Sequence, residues 1–267
     1  MGIRLVVLDI DGTLLDSAGS LPPANAAAIA AARSQGVTIT LATARQQHMA
    51  APLVEALDLN APLILHNGAV VWLPATDRRL MCLTIDLAHA QAIAAYADER
   101  AYELVTTIDE STYLRCRPGR ACGYIREGLY ALPTNLEAMT RPPTRIAVRD
   151  PGAAIDIHRR FARQLADKTR MDIYFRHVEP WGLGVFNRQA SKGQALEFIK
   201  RLLNVSDSEV LAMGDNPVDA EMFPHARLSV APENAPDAVK AQATHVAPSC
   251  DQAAVAWAIE RLVLSGD

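Results

Sequence analysis

The feature that most limits the fold is an alternation of short apolar runs with helical stretches, present at both ends of the chain and interrupted between them. Residues 4–8 form a leucine and β-branched run, the kind carried by a strand covered on both faces. Pro22-Pro23 then open an alanine-rich helix, with Ser20 placed as its cap and Gly36 as its stop. A second strand is expected over 37–41, a second helix over 46–57 and a third strand over 63–65. This βαβαβ order points to a parallel sheet with helices on both faces. The same grammar returns after Ser191, with a helix at 192–203, a strand at 209–213, short elements at 227–230 and 244–246, and a closing helix at 252–264.

The middle follows other rules. Asn67-Gly68 reads as a turn, followed by an antiparallel pair at 69–73 and 80–85. Helices are expected at about 87–100 and 153–166, and strands at 103–107, 112–116, 145–149, 171–175 and 183–186. Pro142-Pro143 and Asp150-Pro151-Gly152 punctuate them. The chain is thus expected to be α/β, with a Rossmann-like doubly wound parallel sheet as core and an inserted α+β domain. The core would comprise 1–84 and 189–267, and the insertion 85–188.

Half of the 267 residues are hydrophobic and the formal charge is −4, which gives no footprint for nucleic acid and no membrane-seeking surface. The apolar run near the N-terminus is too short for a signal peptide or a membrane span. Cys82, Cys116, Cys122 and Cys250 show no CxxC pair and read as unpaired thiols of a reducing compartment. A soluble, cytoplasmic protein is expected. Gly182-Leu-Gly184 lacks the third glycine of a dinucleotide fingerprint and no P-loop occurs, which disfavours nucleotide cofactors.

Three of the core strands run into polar residues. Residues 4–8 lead into Asp9-Ile10-Asp11-Gly12-Thr13, residues 37–41 into Thr43-Ala44-Arg45, and residues 209–213 into Gly214-Asp215-Asn216. Ligands of open parallel sheets sit outside the carboxyl ends of the strands, so these groups are expected to meet there. Residues i and i+2 of an extended strand share a side, which places Asp9 and Asp11 toward one pocket. Carboxylates gathered at one place repel unless a cation joins them, and an oxygen-only donor set suits Mg²⁺ with several retained waters. Lys192, at a helix start, adds a positive charge where phosphate is favoured.

Asp9-Ile-Asp-Gly-Thr-Leu, Thr43-Ala-Arg, Lys192-Gly and Gly214-Asp-Asn-Pro-Val-Asp219 resemble the four motifs of haloacid dehalogenase superfamily hydrolases. Their order and spacing are similar to the Cof-like phosphatase branch, whose α/β cap is inserted between the second and third motifs. His66-Asn67-Gly68-Ala69 and Glu233-Asn234-Ala235 also resemble stretches of that branch.

The resemblance implies a Mg²⁺-dependent phosphatase acting on small phosphorylated metabolites such as sugar phosphates or phosphorylated cofactors. Asp9 would be the nucleophile that forms an aspartyl-phosphate, and Asp11 the general acid and base. Asp9, the backbone carbonyl of Asp11, and Asp215 would hold the metal. Thr43 and Lys192 would hold the phosphoryl oxygens, with Arg45 a further phosphate or substrate contact. Asp219 would stand behind them, orienting Lys192 or a metal-bound water, and Asn216 could supply an amide to the same surroundings.

Two positions depart from the pattern. Ala44 stands where glycine is common, and Val218 where the fourth motif usually has asparagine, which is expected to weaken metal binding without abolishing it. The same residues leave two other readings open: phosphoryl transfer to a second hydroxyl, as in a phosphomutase, and a phosphometabolite-binding protein with reduced turnover. Arg115, Arg117, Arg120 and Arg126 read as a solvated face, and His48 and His66 have no partner at metal-binding spacing. Oligomeric state is not legible.

Overall fold

The computed structural model describes residues 2–116, 122–176 and 179–265. In chain order the first elements are β1 (Leu5–Leu8), α1 (Pro23–Ser34), β2 (Thr38–Leu41), α2 (Gln47–Ala56), β3 (Leu63–Leu65), β4 (Val70–Leu73) and β5 (Arg78–Cys82). There follow α3 (Leu87–Glu99), β6 (Val105–Ile108), β7 (Ser111–Arg115), β8 (Gly123–Arg126), β9 (Leu129–Leu132), β10 (Arg145–Val148), α4 (Pro151–Phe161), β11 (Thr169–Arg176) and β12 (Glu179–Asn187). The chain ends with α5 (Lys192–Leu203), β13 (Val210–Met213), β14 (Leu228–Pro232), α6 (Asp237–Lys240), β15 (His245–Ala247) and α7 (Ala254–Ile259). Two compact units result, one joining the stretch up to Met81 with the stretch from Ser191 onward, the other running from Cys82 to Ala190.

The first unit is built on a parallel sheet of order β15-β14-β13-β1-β2. A single parallel bridge, Ala42 to Ile64, carries β3 alongside β2, and β3 continues antiparallel into β4 and β5. Strand β1 shows why its sequence is apolar throughout. Leu5 and Val7 pack with Leu196 and Ile199 of α5, whereas Val6 and Leu8 face Ile29 of α1 and Val255 of α7. All four are fully buried, as expected of a strand covered on both faces. The fold class is therefore the α/β one expected, with the carboxyl ends of β1, β2 and β13 adjacent at one edge.

The second unit carries a sheet of order β11-β12-β10-β6-β7-β9-β8, antiparallel apart from the β7–β9 pair. Helices α3 and α4 share one apolar core with Ile146, Leu183 and Val185 of that sheet. Strands β8 and β9 have no counterpart in the sequence reading. Every residue of β8 is exposed, so no alternation of buried and exposed positions marks it.

Other local expectations are corrected. Ser20 does not cap α1: the cap position is Pro22, and the Ser20 N–H instead donates to Asp16 Oδ1 at 2.8 Å. Gly36 does end that helix, at φ +83°. The closing helix begins at Ala254 and widens into a π turn over Glu260–Leu264. Cys116 and Cys122 are joined in a disulfide, their Cα atoms 5.5 Å apart, because the end of β7 and the start of β8 bring them together. Only Cys82 and Cys250 stand outside a disulfide, so the cysteines no longer argue for a reducing compartment. Arg115 pairs with Asp98 at 3.7 Å and Arg126 is exposed, while Arg117 and Arg120 lie outside the described residues. Among the described residues no helix is long and apolar enough to cross a membrane.

Candidate active site

Beyond Leu8 the β1 backbone makes one more ladder bond, Asp9 N–H to the Met213 carbonyl at 2.9 Å, and then turns. The N–H groups of Leu14 and Leu15 both return to the Ile10 carbonyl, at 3.1 and 2.9 Å. The chain therefore turns between Asp11 and Leu14, with Asp11 in an isolated bridge to Leu15. Asp9 is buried and points into the core edge, whereas Asp11 is exposed.

Gly12 makes that turn possible. It adopts φ +83°, and a Cβ built there would lie 2.6 Å from Asp215 Oδ2. The loop thus lies directly against Asp215 at the end of β13, where Thr13 Oγ1 donates to Asp215 Oδ1 at 3.3 Å.

Lys192 is the first residue of α5, whose start is capped by Ser191 Oγ accepting from Gln194 N–H at 3.0 Å. Gly68, at φ +91°, packs against the Ser191 carbonyl with no room for a side chain, which seats this helix start beside the end of β3. The Lys192 ammonium, only 2% exposed, donates to Asp9 Oδ1 at 2.6 Å, to the Ala42 carbonyl at 2.7 Å and to Asp219 Oδ1. Asp219 is fully buried, and its other oxygen accepts from the Asn216 backbone N–H at 2.8 Å. Asn216 therefore reaches this cluster through its backbone; its side-chain oxygen accepts weakly from Val218 N–H at 3.4 Å.

Carboxylate oxygens of Asp9, Asp215 and Asp219 lie within 4.8 Å of one another. Three carboxylates around one ammonium leave two uncompensated negative charges, and the titration behaviour follows. Burial, then the charge of Asp219, pushes the Asp215 carboxyl up to about 6, against the pull of Lys192 and Thr13. Asp9 is driven in the same direction by burial and then Asp219, with Lys192 opposing. Burial lowers Lys192, but Asp219 and Asp9 outweigh it and hold the ammonium firmly protonated.

Thr43, buried at the end of β2, accepts from Arg45 N–H at 3.1 Å through its Oγ1, which leaves its own O–H to donate. Arg45 forms a two-pronged pair with Asp11, Nε to Oδ2 at 2.9 Å and Nη2 to Oδ1 at 2.6 Å. The sequence motifs therefore separate into two groups. Asp9, Asp215, Asp219 and Lys192 form a buried cluster, while Asp11 and Arg45 form a more exposed pair.

A model of the haloacid dehalogenase-like hydrolases matches residues 6–259, nearly the whole chain. The chain belongs to that family. It is an enzyme of its Cof-like branch, a phosphatase. A 5-amino-6-(5-phospho-D-ribitylamino)uracil phosphatase of Bacillus subtilis is 27% identical, with 98% of this chain aligned to 96% of that protein. A pyridoxal phosphate phosphatase of Escherichia coli is 26% identical over 92% of this chain and 93% of its own length. Among solved structures, a haloacid dehalogenase-like hydrolase from Bacteroides thetaiotaomicron superposes with a TM-score of 0.84 at 22% identity, covering 97% of this chain and 99% of the other.

Proposed function

We propose that this phosphatase is Mg²⁺-dependent, that it hydrolyses small phosphate monoesters, and that it does so through phosphorylation of Asp9. The observation that carries the reading is the buried cluster in which the Lys192 ammonium joins Asp9 and Asp219 while Asp215 stands close by. A site with this charge excess and only hard oxygen donors fits a small divalent cation. Mg²⁺ held by Asp9, Asp215 and the backbone at Asp11 would supply the missing positive charge and polarise a phosphoryl oxygen.

The chain's own groups divide the remaining work. One Asp9 oxygen attacks phosphorus as the bond to the leaving oxygen breaks, giving an acyl phosphate; water then cleaves it to inorganic phosphate. Asp11 gives its proton to the leaving oxygen and takes one back from that water. Both Asp11 oxygens accept from Arg45, so the pair opens and Asp11 takes up a proton from solvent before it can protonate the leaving oxygen, while Arg45 is released toward the anionic substrate. The Thr43 hydroxyl donates to a phosphoryl oxygen. Lys192 spends its three N–H bonds on Asp9, Ala42 and Asp219, so it aligns the nucleophile and exchanges one of these partners to meet phosphate. Asp219 acts by holding Lys192. The reading of the substrate as a small phosphorylated metabolite is supported by relatives named for a ribitylamino-uracil phosphate and for pyridoxal phosphate.

The test is phosphate release from a metabolite panel with Mg²⁺ and with chelator, together with mass analysis of the peptide containing Asp9 after acid quench. A phosphorylated Asp9 is expected, with free phosphate as the sole phosphorus-containing product beside the dephosphorylated metabolite. Full turnover under chelation, or Asp9→Asn at near-normal rate, refutes the reading; transfer of phosphate to another metabolite supports a phosphomutase instead.

A further inference from the structure

The nucleophile loop is held by a part of the chain more than 230 residues away, through two side-chain amides used in the same manner. Asn234, in the loop after β14, donates from Nδ2 to the Gly12 carbonyl at 2.9 Å and accepts at Oδ1 from Cys250 N–H at 2.8 Å. Asn25, in the first turn of α1, donates from Nδ2 to the Leu14 carbonyl at 2.9 Å and accepts at Oδ1 from Ala256 N–H at 2.9 Å. Each amide joins a carbonyl of the loop to an N–H of the C-terminal segment. A third link runs the other way, from Ser17 N–H to Asp251 Oδ1 at 2.7 Å.

The chemistry leaves little choice of side chain. A bridge between a carbonyl and an N–H needs one donor and one acceptor at fixed separation, which a carboxamide supplies and a carboxylate does not. Asn25 is fully buried with both functions satisfied, so it contributes to the core as well as to the loop. Asn234 is exposed, so nothing in the packing of the core calls for an amide there. What it does is hold the carbonyl of Gly12, the residue whose positive φ sets the turn between Asp9 and Thr13 and whose Cα faces Asp215. Fixing that peptide fixes the direction in which Asp9 and Asp11 leave the strand.

We propose that Asn234 and Asn25 are positioning residues for the nucleophile loop, clamping Gly12 and Leu14 to the C-terminal segment so that Asp9 is aligned before substrate arrives. The kinetic arm rests on the Asp9 reading above; the exchange arm does not.

Asn234 is the residue to test, since its exposure spares the fold. Asn234→Ala removes both bonds. Asn234→Asp keeps the acceptor for Cys250 and turns the Gly12 donor into a second acceptor. Two readouts are taken: steady-state hydrolysis of p-nitrophenyl phosphate with Mg²⁺, and NMR amide exchange of Leu14 and Leu15 in the absence of substrate. Both variants should lose about 10–100-fold in kcat, the scale for groups that orient a catalytic centre from behind, with KM held within about twofold. Exchange of Leu14 and Leu15 should quicken in both while the melting temperature stays near that of the wild type. Asn234→Asp at wild-type kcat, or unchanged exchange in either variant, overturns the proposal. A wild type that hydrolyses no phosphate monoester, but whose loop exchange still quickens in the variants, defeats the phosphatase mechanism alone and leaves the clamp standing.

Discussion

Replacing Lys192 with methionine keeps the length and most of the volume of the side chain and removes its charge. The ammonium is 2% exposed and holds two carboxylates and the Ala42 carbonyl. A bond to a charged partner contributes about 1.5–3 kcal/mol and one to a neutral carbonyl about 1 kcal/mol. Against these, methionine is spared the several kcal/mol that it costs to bury an ammonium. Deleting one partner of a buried ion pair leaves a net loss of about 3–5 kcal/mol, and that is the loss expected here in metal-free buffer at pH 8.

The sign with pH follows from the titrating groups. Asp219 and Asp9 raise Lys192 above an ordinary lysine despite its burial, so its contribution is present throughout neutral pH and fades only in strong alkali. Burial and Asp219 already hold the Asp9 carboxyl well above the usual carboxylate range, and the variant loses the opposing pull of Lys192. The defect should therefore shrink as pH falls, because protonation removes the stranded charge, and shrink also with Mg²⁺. Urea unfolding followed by tryptophan fluorescence reads the effect, since Trp72 and Trp257 both belong to the unit that holds the site. Asp219→Asn and the double variant complete a cycle, with a coupling of about 1 kcal/mol or more expected. A Lys192→Met protein within about 0.5 kcal/mol of wild type at pH 8 under chelation would refute the account of a charge-starved cluster.

Other outcomes follow from the same geometry. Gly12→Ala should cost about 1–3 kcal/mol in thermal unfolding, since alanine at φ +83° is strained and its Cβ meets Asp215 Oδ2; calorimetry should also show weaker Mg²⁺ binding. Asp215 titrates near 6, so below that pH it must lose a proton to bind metal, and Mg²⁺ affinity should fall toward about tenfold per pH unit. By the same shift the metal-free fold loses stability as pH rises from about 4 to 6 and stays at the lower level above; a flat Mg²⁺ affinity from pH 5 to 7 contradicts both statements. Asn216→Ala should leave Mg²⁺ binding within about twofold, because the backbone N–H makes the link to Asp219, whereas Asn216→Pro removes that donor and should weaken binding about 10–100-fold.

Much of the core was legible along the chain because its signals are local. A strand buried on both faces must be apolar at every position, as Leu5–Leu8 is, and a helix start at Lys192 announces itself through Ser191. The motif residues at the ends of β1, β2 and β13 could be gathered from sequence because parallel strands bring their carboxyl ends to one edge. What that rule could not supply is the direction of each side chain once the strand ends. The turn closed on the Ile10 carbonyl sends Asp11 outward to Arg45 and leaves Asp219, from a different loop, as the third carboxylate beside Asp9 and Asp215. Strand β8 was silent for a related reason: every residue is exposed, so its place is decided by pairing with β9 and not by any pattern of its own. The roles of Asn25 and Asn234 were silent too: Asn25 is a polar residue in a helix start, and Asn234 was marked only by the family-like Glu233-Asn234-Ala235, which does not say what its amide holds. Their meaning lies in partners at Ala256 and Cys250, and only the folded core brings those within hydrogen-bonding distance.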